Sequence, residues 1–207
     1  MHKATDVVYE DLSEQLVTRF LSVPRVAWDI ETSGLNPRID RIGTVQLYAP
    51  EAGTIIIQIS DRRPDHLITL LSDSQTLKVF HHAMFDLRFM FAKWGAISQK
   101  VTCTKIASKI LQPDRQAPFH SLQHLLLEYL NIEISKEFQL SNWFAKELSR
   151  EQINYARNDV QFLLPLLDAL QEKLESEGLS ALFSACTDFI PARVQLELGR
   201  WQDVFTY

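Results

Sequence analysis

Apolar residues recur along the first third of the chain with a period that changes from helical to strand-like. Over residues 11–21, leucine and phenylalanine fall on one helical face, and Asp11 stands in an N-cap position. Shorter apolar runs bounded by turn residues follow this helix, and we expect each to form a strand. These runs cover residues 25–30, 42–49 and 54–60. Because the spacers between them are short, the pattern predicts an antiparallel meander.

The rest of the chain favours helices, with two further short strands among them. The periodicity predicts helices over residues 66–71, 83–94, 104–111 and 122–130, and strands over 77–80 and around Val101. A capping box at Ser149 and Gln152 opens a long helix, in which we expect a kink at Pro165. A final helical hairpin over 179–207 is broken at Pro191. Strands followed by helices indicate an α/β fold, a mixed sheet flanked by helices.

Length and composition fit one soluble globular domain. The 207 residues correspond to a single domain, 1–207, in which hydrophobic residues make up 46% and charged residues 23%. A domain of this size buries enough surface to fold without a disulfide or a structural metal. The apolar runs are shorter than the ~18 residues of a membrane span, so we expect no membrane partner. Residues 1–11 are polar and acidic, so we expect no leader peptide.

The net charge and the cysteine content limit which functions and which cellular compartment fit the sequence. The net charge is −5, which argues against a protein that coats long nucleic-acid duplexes through a global basic field. A metal-dependent nucleic-acid enzyme stays compatible with this charge, because its site contributes acids of its own. Cys103 and Cys186 are far apart and form no CxxC motif, so we expect free thiols in a reducing cytoplasm.

Asp29 and Glu31 are the first candidate functional pair. They stand two residues apart at the end of a predicted strand, and therefore point to the same face of the sheet. Two carboxylates at ~4 Å repel each other by roughly 4 kcal/mol when the effective dielectric constant is about 20. A protein tolerates this repulsion mainly where cations lie between the two groups, although a solvated strand edge produces the same pattern.

Three further residues could join this pair. Asp86 lies early in a predicted helix among apolar neighbours, where it either faces the interior or only interacts with the helix dipole. Tyr155 and Asp159 are four residues apart and share one face of the helix that opens at Ser149. Ordinary amphipathicity explains each of them singly. Together, however, four carboxylates are hard oxygen ligands that suit Mg²⁺ or Mn²⁺.

The order of these residues, D-x-E, then Asp, then Tyr-x3-Asp, resembles the DEDD family of 3′–5′ exonucleases, in the subgroup that carries tyrosine. The resemblance extends through residues 28–35 (WDIETSGL), 80–89 and 136–164, and the last of these stretches is similar to ribonuclease D. Residues 103–109 and 189–205 resemble the stand-alone nano-RNase C group. The resemblance covers nearly the whole chain, and it implies a ribonuclease H-like fold.

The resemblance implies metal-assisted hydrolysis of the 3′-terminal phosphodiester bond, with two Mg²⁺ or Mn²⁺ ions. Asp29, Glu31 and Asp159 would ligate the ion that activates water. Asp29 would bridge to a second ion at the leaving oxygen, which Asp86 would hold directly or through water. Tyr155 would orient the water by a hydrogen bond, since a reference pKa of about 10 keeps its hydroxyl neutral at neutral pH.

Candidate substrate contacts lie near these residues. In the family, the positions of Thr32 and Leu35 touch the 3′-terminal nucleotide, with the apolar side chain wedged near the base; a loop threonine and a core leucine are the alternative. His82 and Phe85 offer rings on which a base could stack, although Phe85 also fits the core.

Partners are predicted from basic residues and from the C-terminal extension. Lys105 and Lys109 share a helical face, which either binds a substrate phosphate or is simply solvated. Residues 179–207 carry more apolar side chains than a loose tail needs, so we expect part of them to cover the core and part to contact a neighbouring subunit. The nano-RNase C resemblance implies a homo-oligomer, an octameric ring that completes RNA decay on dinucleotides.

The favoured interpretation is a 3′–5′ exoribonuclease that releases nucleoside 5′-monophosphates from short single-stranded RNA, down to dinucleotides. Two alternatives within the fold stay open, a 3′–5′ exodeoxyribonuclease and a ribonuclease D-like enzyme that trims structured RNA. Sequence alone does not separate ribose from deoxyribose, because backbone groups can contact the 2′-hydroxyl. An inactive nucleic-acid-binding module is a third alternative.

Overall fold

A mixed sheet of six strands forms the centre of the fold. The computed structural model describes residues 5–199 and 201–206. The strands are β1 Thr5–Tyr9, β2 Arg25–Thr32, β3 Ile42–Ala49, β4 Gly53–Gln58, β5 Leu77–Phe80 and β6 Val101–Cys103. Their order across the sheet is β1-β4-β3-β2-β5-β6. β2, β3 and β4 form the predicted antiparallel meander, whereas β1, β5 and β6 each pair parallel with a neighbour.

Nine α-helices within the same residues cover both faces of the sheet, and a short 3₁₀ helix, Ala117–His120, precedes the fifth of them. The α-helices are α1 Glu14–Leu21, α2 Asp65–Ser72, α3 Ala83–Trp94, α4 Thr104–Leu111, α5 Leu122–Leu130, α6 Arg150–Gln161, α7 Leu163–Ser176, α8 Ser180–Asp188 and α9 Ile190–Leu198. On the face that carries Trp28, the buried residues come from α1, α2, α3 and α9. On the face that carries Ala27, they come from α4, α5, α7 and α8. The predicted mixed sheet flanked by helices is confirmed.

The N-terminal segment departs from the prediction. Strand β1 was not predicted: Thr5–Tyr9 is a short segment that pairs parallel with β4. Asp11 does not cap α1, since the Leu16 N–H donates to Ser13 Oγ instead, at 3.3 Å. The Asp11 carboxylate accepts hydrogen bonds from the backbone N–H groups of His66 and Leu67, at 2.8 and 3.0 Å. Asp11 therefore caps α2, a helix that is distant in the sequence.

The helix predicted to follow Ser149 is divided at Phe162 rather than kinked at Pro165. Pro165 has no N–H to donate to the Gln161 carbonyl, and its ring collides with that carbonyl, so the break precedes the proline. The capping box of Ser149 and Gln152 is present as predicted. Because of the break, α6 crosses β2, β3 and β4, while α7 continues over β2 and β5.

The C-terminal segment is partly buried and partly exposed. Phe183 of α8 and Ile190 and Val194 of α9 are buried. The predicted hairpin ends at Leu198, and residues 1–4, Arg200 and Tyr207 lie outside the described residues. Large apolar side chains are exposed on this segment at Leu182, Phe189, Trp201, Val204 and Phe205. Among the described residues, no helix combines the length and apolar character needed to cross a membrane.

Asp11→Ala should lower the free energy of unfolding by about 1–2 kcal/mol, because two N–H groups in the first turn of α2 lose their acceptor. Urea unfolding followed by circular dichroism measures this loss. Asp6→Ala is the control, since Asp6 is exposed on β1 and its removal should change stability by less than about 0.5 kcal/mol. Equal stability of Asp11→Ala and the wild type would contradict the cap.

Candidate active site

The C-terminal end of β2 presents Asp29 and Glu31 on one face of the sheet. Strand alternation directs both side chains to that face, while Trp28 and Ile30, the residues on either side of Asp29, are buried on the other. β2 is a central strand, paired with β3 on one side and β5 on the other, and Glu31 lies opposite Thr44. The two carboxylates therefore lie on the part of β2 that pairs with β3, just beyond its pairing with β5 over residues 25–27.

Asp86 reaches the same place from the first turn of α3. This helix begins directly after β5, and its apolar residues pack into the core. Asp86 itself is 2% exposed, so of the two positions compatible with the sequence the interior one is observed. Burial raises the pKa of the Asp86 carboxyl well above its usual range, and the charge of Asp29 raises it further.

Helix α6 contributes Tyr155 and Asp159, which lie one turn apart on the face toward the sheet. The loop that precedes this helix is anchored from two sides. The Gln152 side-chain amide donates to Ser141 Oγ and to the Asn142 carbonyl, both at 3.1 Å. On the sheet side, the Gln58 amide donates to the carbonyl of Ala145 at 2.9 Å. The start of α6 is thereby fixed relative to the strands that carry the other acids.

Three carboxylates converge where these elements meet. One carboxylate oxygen each of Asp29, Glu31 and Asp159 lie within 4.8 Å of one another. Within the described residues, no other group of three or more potential metal-ligating side chains occurs. Burial raises the pKa of Asp29 to about 7. Burial, followed by the charges of the neighbouring carboxylates, also raises the pKa values of Glu31 and Asp159 well above their usual range.

This set of donors fits a hard divalent cation. Asp29, Glu31 and Asp159, with Asp86 lining the same cleft, offer carboxylate oxygens, which favours Mg²⁺ or Mn²⁺ over zinc. Burial raises the pKa values of Asp29 and Glu31, so their ionised forms are unfavourable without added positive charge. Lys136 lowers the pKa of Asp159, but burial dominates there too. A bound cation would supply the missing positive charge.

Tyr155 is a neutral hydrogen-bonding group in this setting. Its ring packs against Trp143, with 5.8 Å between the ring centroids. Burial raises the pKa of the Tyr155 hydroxyl far above its usual value, and the charges of Asp159 and Glu31 add to the effect. The hydroxyl thus stays protonated near neutral pH, so it can position a water molecule but does not act as a phenolate base.

A cleft of about 750 Å³ opens over the carboxylates. Of the predicted substrate contacts, those that line it are Thr32, Leu35, His82, Phe85 and Lys105. Lys109 is exposed on α4 and is not among the residues that line the cleft. Leu35 is 81% exposed, so the alternative of a core leucine is wrong.

His82 and Phe85 form a flat surface on one side of the cleft. Their rings are 6.0 Å apart at an interplanar angle of 19°, and Phe85 also packs against Phe89 with 5.0 Å between centroids. Burial, followed by the charge of Lys105, lowers the pKa of His82 to about 4, so its ring is neutral near pH 7. Two neutral rings in contact offer a stacking surface for a base.

The lining of the cleft also includes residues that the sequence analysis did not assign to the site. They are Ser121, Gln123, Lys136, Gln139, Leu140 and Asn142. Most come from the irregular segment between α5 and α6, whose path no periodicity predicts. Leu140 is 97% exposed although it is apolar, and an isolated leucine in a polar loop was the available signal.

Comparison with known proteins identifies the family. The sequence pattern of the family described as "3′-5′ exonuclease" matches residues 6–175. The chain belongs to this 3′–5′ exonuclease family. It is an enzyme of the ribonuclease D and NrnC type, and its sheet and helices have the ribonuclease H-like arrangement of that fold. Exonucleases of this family depend on divalent metal ions.

Two relatives illustrate the similarity. Ribonuclease D of Haemophilus influenzae is 31% identical over 151 residues, which cover 72% of this chain but 37% of ribonuclease D, so the chain spans about a third of that relative. Brucella melitensis NrnC is 35% identical, with a TM-score of 0.88 and 98% of both chains covered. Further structures of Brucella NrnC, with bound Mg²⁺ and bound to pGG, each have a TM-score of 0.87.

The carboxylate cluster should destabilise the metal-free exonuclease near neutral pH. The folded-state pKa of Asp29 is raised to about 7, so stability is lost as the pH rises from the ordinary carboxyl pKa through that value. Asp29→Asn should therefore raise the free energy of unfolding in chelator near pH 7 by on the order of 2 kcal/mol. The difference should be small near pH 4, because the raised pKa of Asp29 keeps its carboxyl protonated in the folded state there.

Thermal unfolding in chelator and in Mg²⁺ tests this prediction, and Mg²⁺ should stabilise the wild type more than Asp29→Asn. Asp114→Asn is the matched control, because Asp114 is exposed and outside the cleft. A variant Asp29→Asn that is no more stable than the wild type in chelator would show that the repulsion is relieved without a cation.

Proposed function

We propose that this exonuclease is a 3′–5′ exoribonuclease that releases nucleoside 5′-monophosphates from short single-stranded RNA, down to dinucleotides. The observation that carries the proposal is the cluster of Asp29, Glu31 and Asp159 at the base of a cleft of about 750 Å³, a size that suits a nucleotide ligand. Brucella NrnC, which aligns over nearly the full length of both chains, was determined bound to pGG, and this supports a short RNA substrate.

Two divalent ions complete the proposed site. Asp29, Glu31 and Asp159 would hold one ion, and Asp29 with Asp86 would hold the other, each ion being Mg²⁺ or Mn²⁺. When bound, the ions activate water and stabilise the charge that develops on the leaving oxygen. The structure of Brucella NrnC with bound Mg²⁺ supports magnesium at this site.

Tyr155 positions the attacking water in this proposal. Its hydroxyl stays protonated, so it directs the water by hydrogen bonding and does not remove the proton. The packing of its ring on Trp143 limits the positions that the hydroxyl can take. Rigid placement of this kind lowers the barrier by fixing the direction of attack.

The 3′-terminal nucleotide would lie between the two walls of the cleft. Leu35, largely exposed, would contact one side of the base, and the stacked rings of His82 and Phe85 would contact the other. Thr32 is held by a hydrogen bond from its hydroxyl to the Gly34 carbonyl, at 2.6 Å. Lys105 is the proposed phosphate contact, since it lines the cleft and carries no neutralising ion pair among the described residues.

We also propose that the chain forms one catalytic domain in the cytoplasm, which residues 179–207 extend. We propose further that it assembles into a homo-oligomeric ring, which the resemblance to the nano-RNase C group suggests is an octamer. Trp201, Val204 and Phe205 are between 55% and 66% exposed, which supports a subunit contact at this end of the chain. A heterologous contact that closes on itself produces a ring. A ring would restrict access to the clefts and favour short 3′ ends.

Tyr155→Phe should lower the turnover number about a hundredfold, because the water loses a positioning hydrogen bond while the ring packing on Trp143 is kept. The KM for a dinucleotide should change little. Asp159→Ala, measured in the same assay, should abolish hydrolysis and therefore serves as the inactive reference. A Tyr155→Phe enzyme that keeps its turnover but loses affinity would make Tyr155 a substrate-binding residue.

Competition between a 5′-labelled dinucleotide and a longer RNA, with Mn²⁺ present, tests the substrate class. The dinucleotide should be hydrolysed faster, because it fits within the cleft and enters a restricted assembly more readily. The same pair of lengths in DNA is the control for sugar preference. Complete degradation of the long RNA without preference for the dinucleotide would favour a ribonuclease D-like enzyme, and faster cleavage of DNA would favour an exodeoxyribonuclease.

Multi-angle light scattering should give a mass several times that of one 23.9 kDa chain. Trp201→Glu combined with Phe205→Glu should reduce the mass, because charges would replace two exposed apolar side chains in the proposed contact. Leu140→Glu, at an exposed leucine outside the C-terminal segment, is the comparison. A wild-type protein that is monomeric at micromolar concentration would contradict the assembly.

A further inference from the structure

A second cavity, of about 370 Å³, adjoins the catalytic cleft and carries an excess of positive charge. The charged side chains that line it are Arg41, Asp61, Arg62, Arg63 and Lys93. Among these described lining residues, four cations face one acid, in a chain whose net charge is −5. Such a concentration of one sign in a cavity raises the local concentration of ions of the opposite sign.

Ion pairs neutralise these cations only weakly. Arg62 and Arg63 each have an acidic partner, at 3.4 and 3.1 Å, but both pairs are exposed and therefore contribute little stability. Arg41 and Lys93 form no ion pair within the described residues. A phosphate group could therefore bind here without breaking a strong interaction.

The positive charge begins at the wall of the catalytic cleft. Phe144 lines both cavities, and the guanidinium carbon of Arg41 lies 4.6 Å from the centroid of its ring. The backbone of Arg41 also pairs with Ser33, a residue that lines the cleft, through two hydrogen bonds of 3.0 Å. Stacking on Phe144 covers the face of the guanidinium, while its in-plane N–H groups stay available for a phosphate.

We propose that Arg41, Arg62, Arg63 and Lys93, here called the cation cluster, bind the phosphates of an RNA strand longer than a dinucleotide. They would do so where the strand leaves the catalytic cleft on its 5′ side. The inference rests on the proposed function, because it assumes that the 3′ end of RNA occupies the cleft. Each additional nucleotide brings a negative charge, and Arg and Lys are the side chains that neutralise it. The cluster would allow an acidic protein to hold a longer acidic strand at this one location.

Another extension of the cleft is a less suitable path for the strand. A cavity of about 750 Å³ shares Lys136 and three other residues with the cleft, and Phe119, 43% exposed, lines it. Its charged lining residues are one lysine, Lys136, and one acid, Glu133, so it has no comparable excess of cations. Phe119 offers a stacking surface but little attraction for phosphate.

The test is the double variant Arg62→Gln with Lys93→Gln. Arg41 is left in place because it supports the cleft wall, and Arg63 because its guanidinium donates to the Trp94 carbonyl at 2.7 Å. Lys100→Gln with Lys173→Gln is the matched control, since both lysines are exposed, lie outside both cavities, and give the same change in net charge.

Two measurements follow hydrolysis and binding separately. The kcat/KM values for a dinucleotide and an octanucleotide are measured over a range of salt concentrations. The Kd of a labelled octanucleotide is measured in the Asp86→Ala background, in which the RNA should survive. The double variant should weaken binding of the octanucleotide on the order of tenfold and reduce its salt-dependence slope by about 0.7 for each lost phosphate contact. Its kcat/KM for the dinucleotide should equal that of the wild type.

Other outcomes would overturn the inference. These are unchanged octanucleotide affinity in the double variant, an equal loss in the lysine control, or an equal loss on the dinucleotide. If Phe119→Ala weakens octanucleotide binding and the double variant does not, the strand lies in the other extension. If the double variant changes the oligomeric mass and leaves RNA affinity unchanged, the cluster is a subunit contact. A wild type that binds but does not hydrolyse RNA would overturn the proposed function, while the Kd measurement would still test the cation cluster.

Discussion

Mutual repulsion among the carboxylates is the constraint on which the rest of the structure depends. Asp29, Glu31 and Asp159 hold oxygens within 4.8 Å of one another in a site where burial already penalises their charge. Such a group does not form by local preference, because each acid would be better solvated alone. Its geometry must be imposed by the packing of β2, α3 and α6, whose apolar residues are buried against the sheet. The stability of those cores offsets the unfavourable electrostatic free energy until a cation binds.

The elements that impose this geometry are themselves connected around the site. Trp143 packs so closely on β3 that a Cβ at position 43 would come within 3.0 Å of it, which explains the glycine there. Gln58 and Gln152 then hold the same loop from the sheet and from the helix. Because Pro165 ends α6 before Phe162, the acid-bearing helix can cross the sheet at its own angle while α7 fills the core. Asp159 is thus placed by contacts on both sides of its helix.

Local patterns predicted those parts of the site that lie on regular elements. The alternation of a strand places Asp29 and Glu31 on one face, and the helical repeat places Tyr155 and Asp159 together. Proximity of the two pairs follows from tertiary packing, and before the structure it was supported by the family resemblance. Residues on irregular segments escaped prediction, as Leu140 and Asn142 did, and so did β1, whose hydrogen bonds come from β4. Lys109 shares a helical face with Lys105 but does not line the cleft, so its contact with a substrate phosphate stays a prediction.

The distribution of charge, more than its total, determines what this exonuclease can bind. A net charge of −5 predicts weak attraction for nucleic acid at long range, and the carboxylate cluster repels a phosphodiester unless cations are present. Attraction must therefore arise at short range, from metal ions among the acids and from the few cations near the cleft. Those cations differ in kind: Lys105 lies within the cleft, whereas Arg41 lies at its wall and leads to the second cavity. In the proposed function, RNA would bind where the cleft lysine and the cations of the second cavity are within reach of one strand, which would favour a single-stranded 3′ end over a duplex surface.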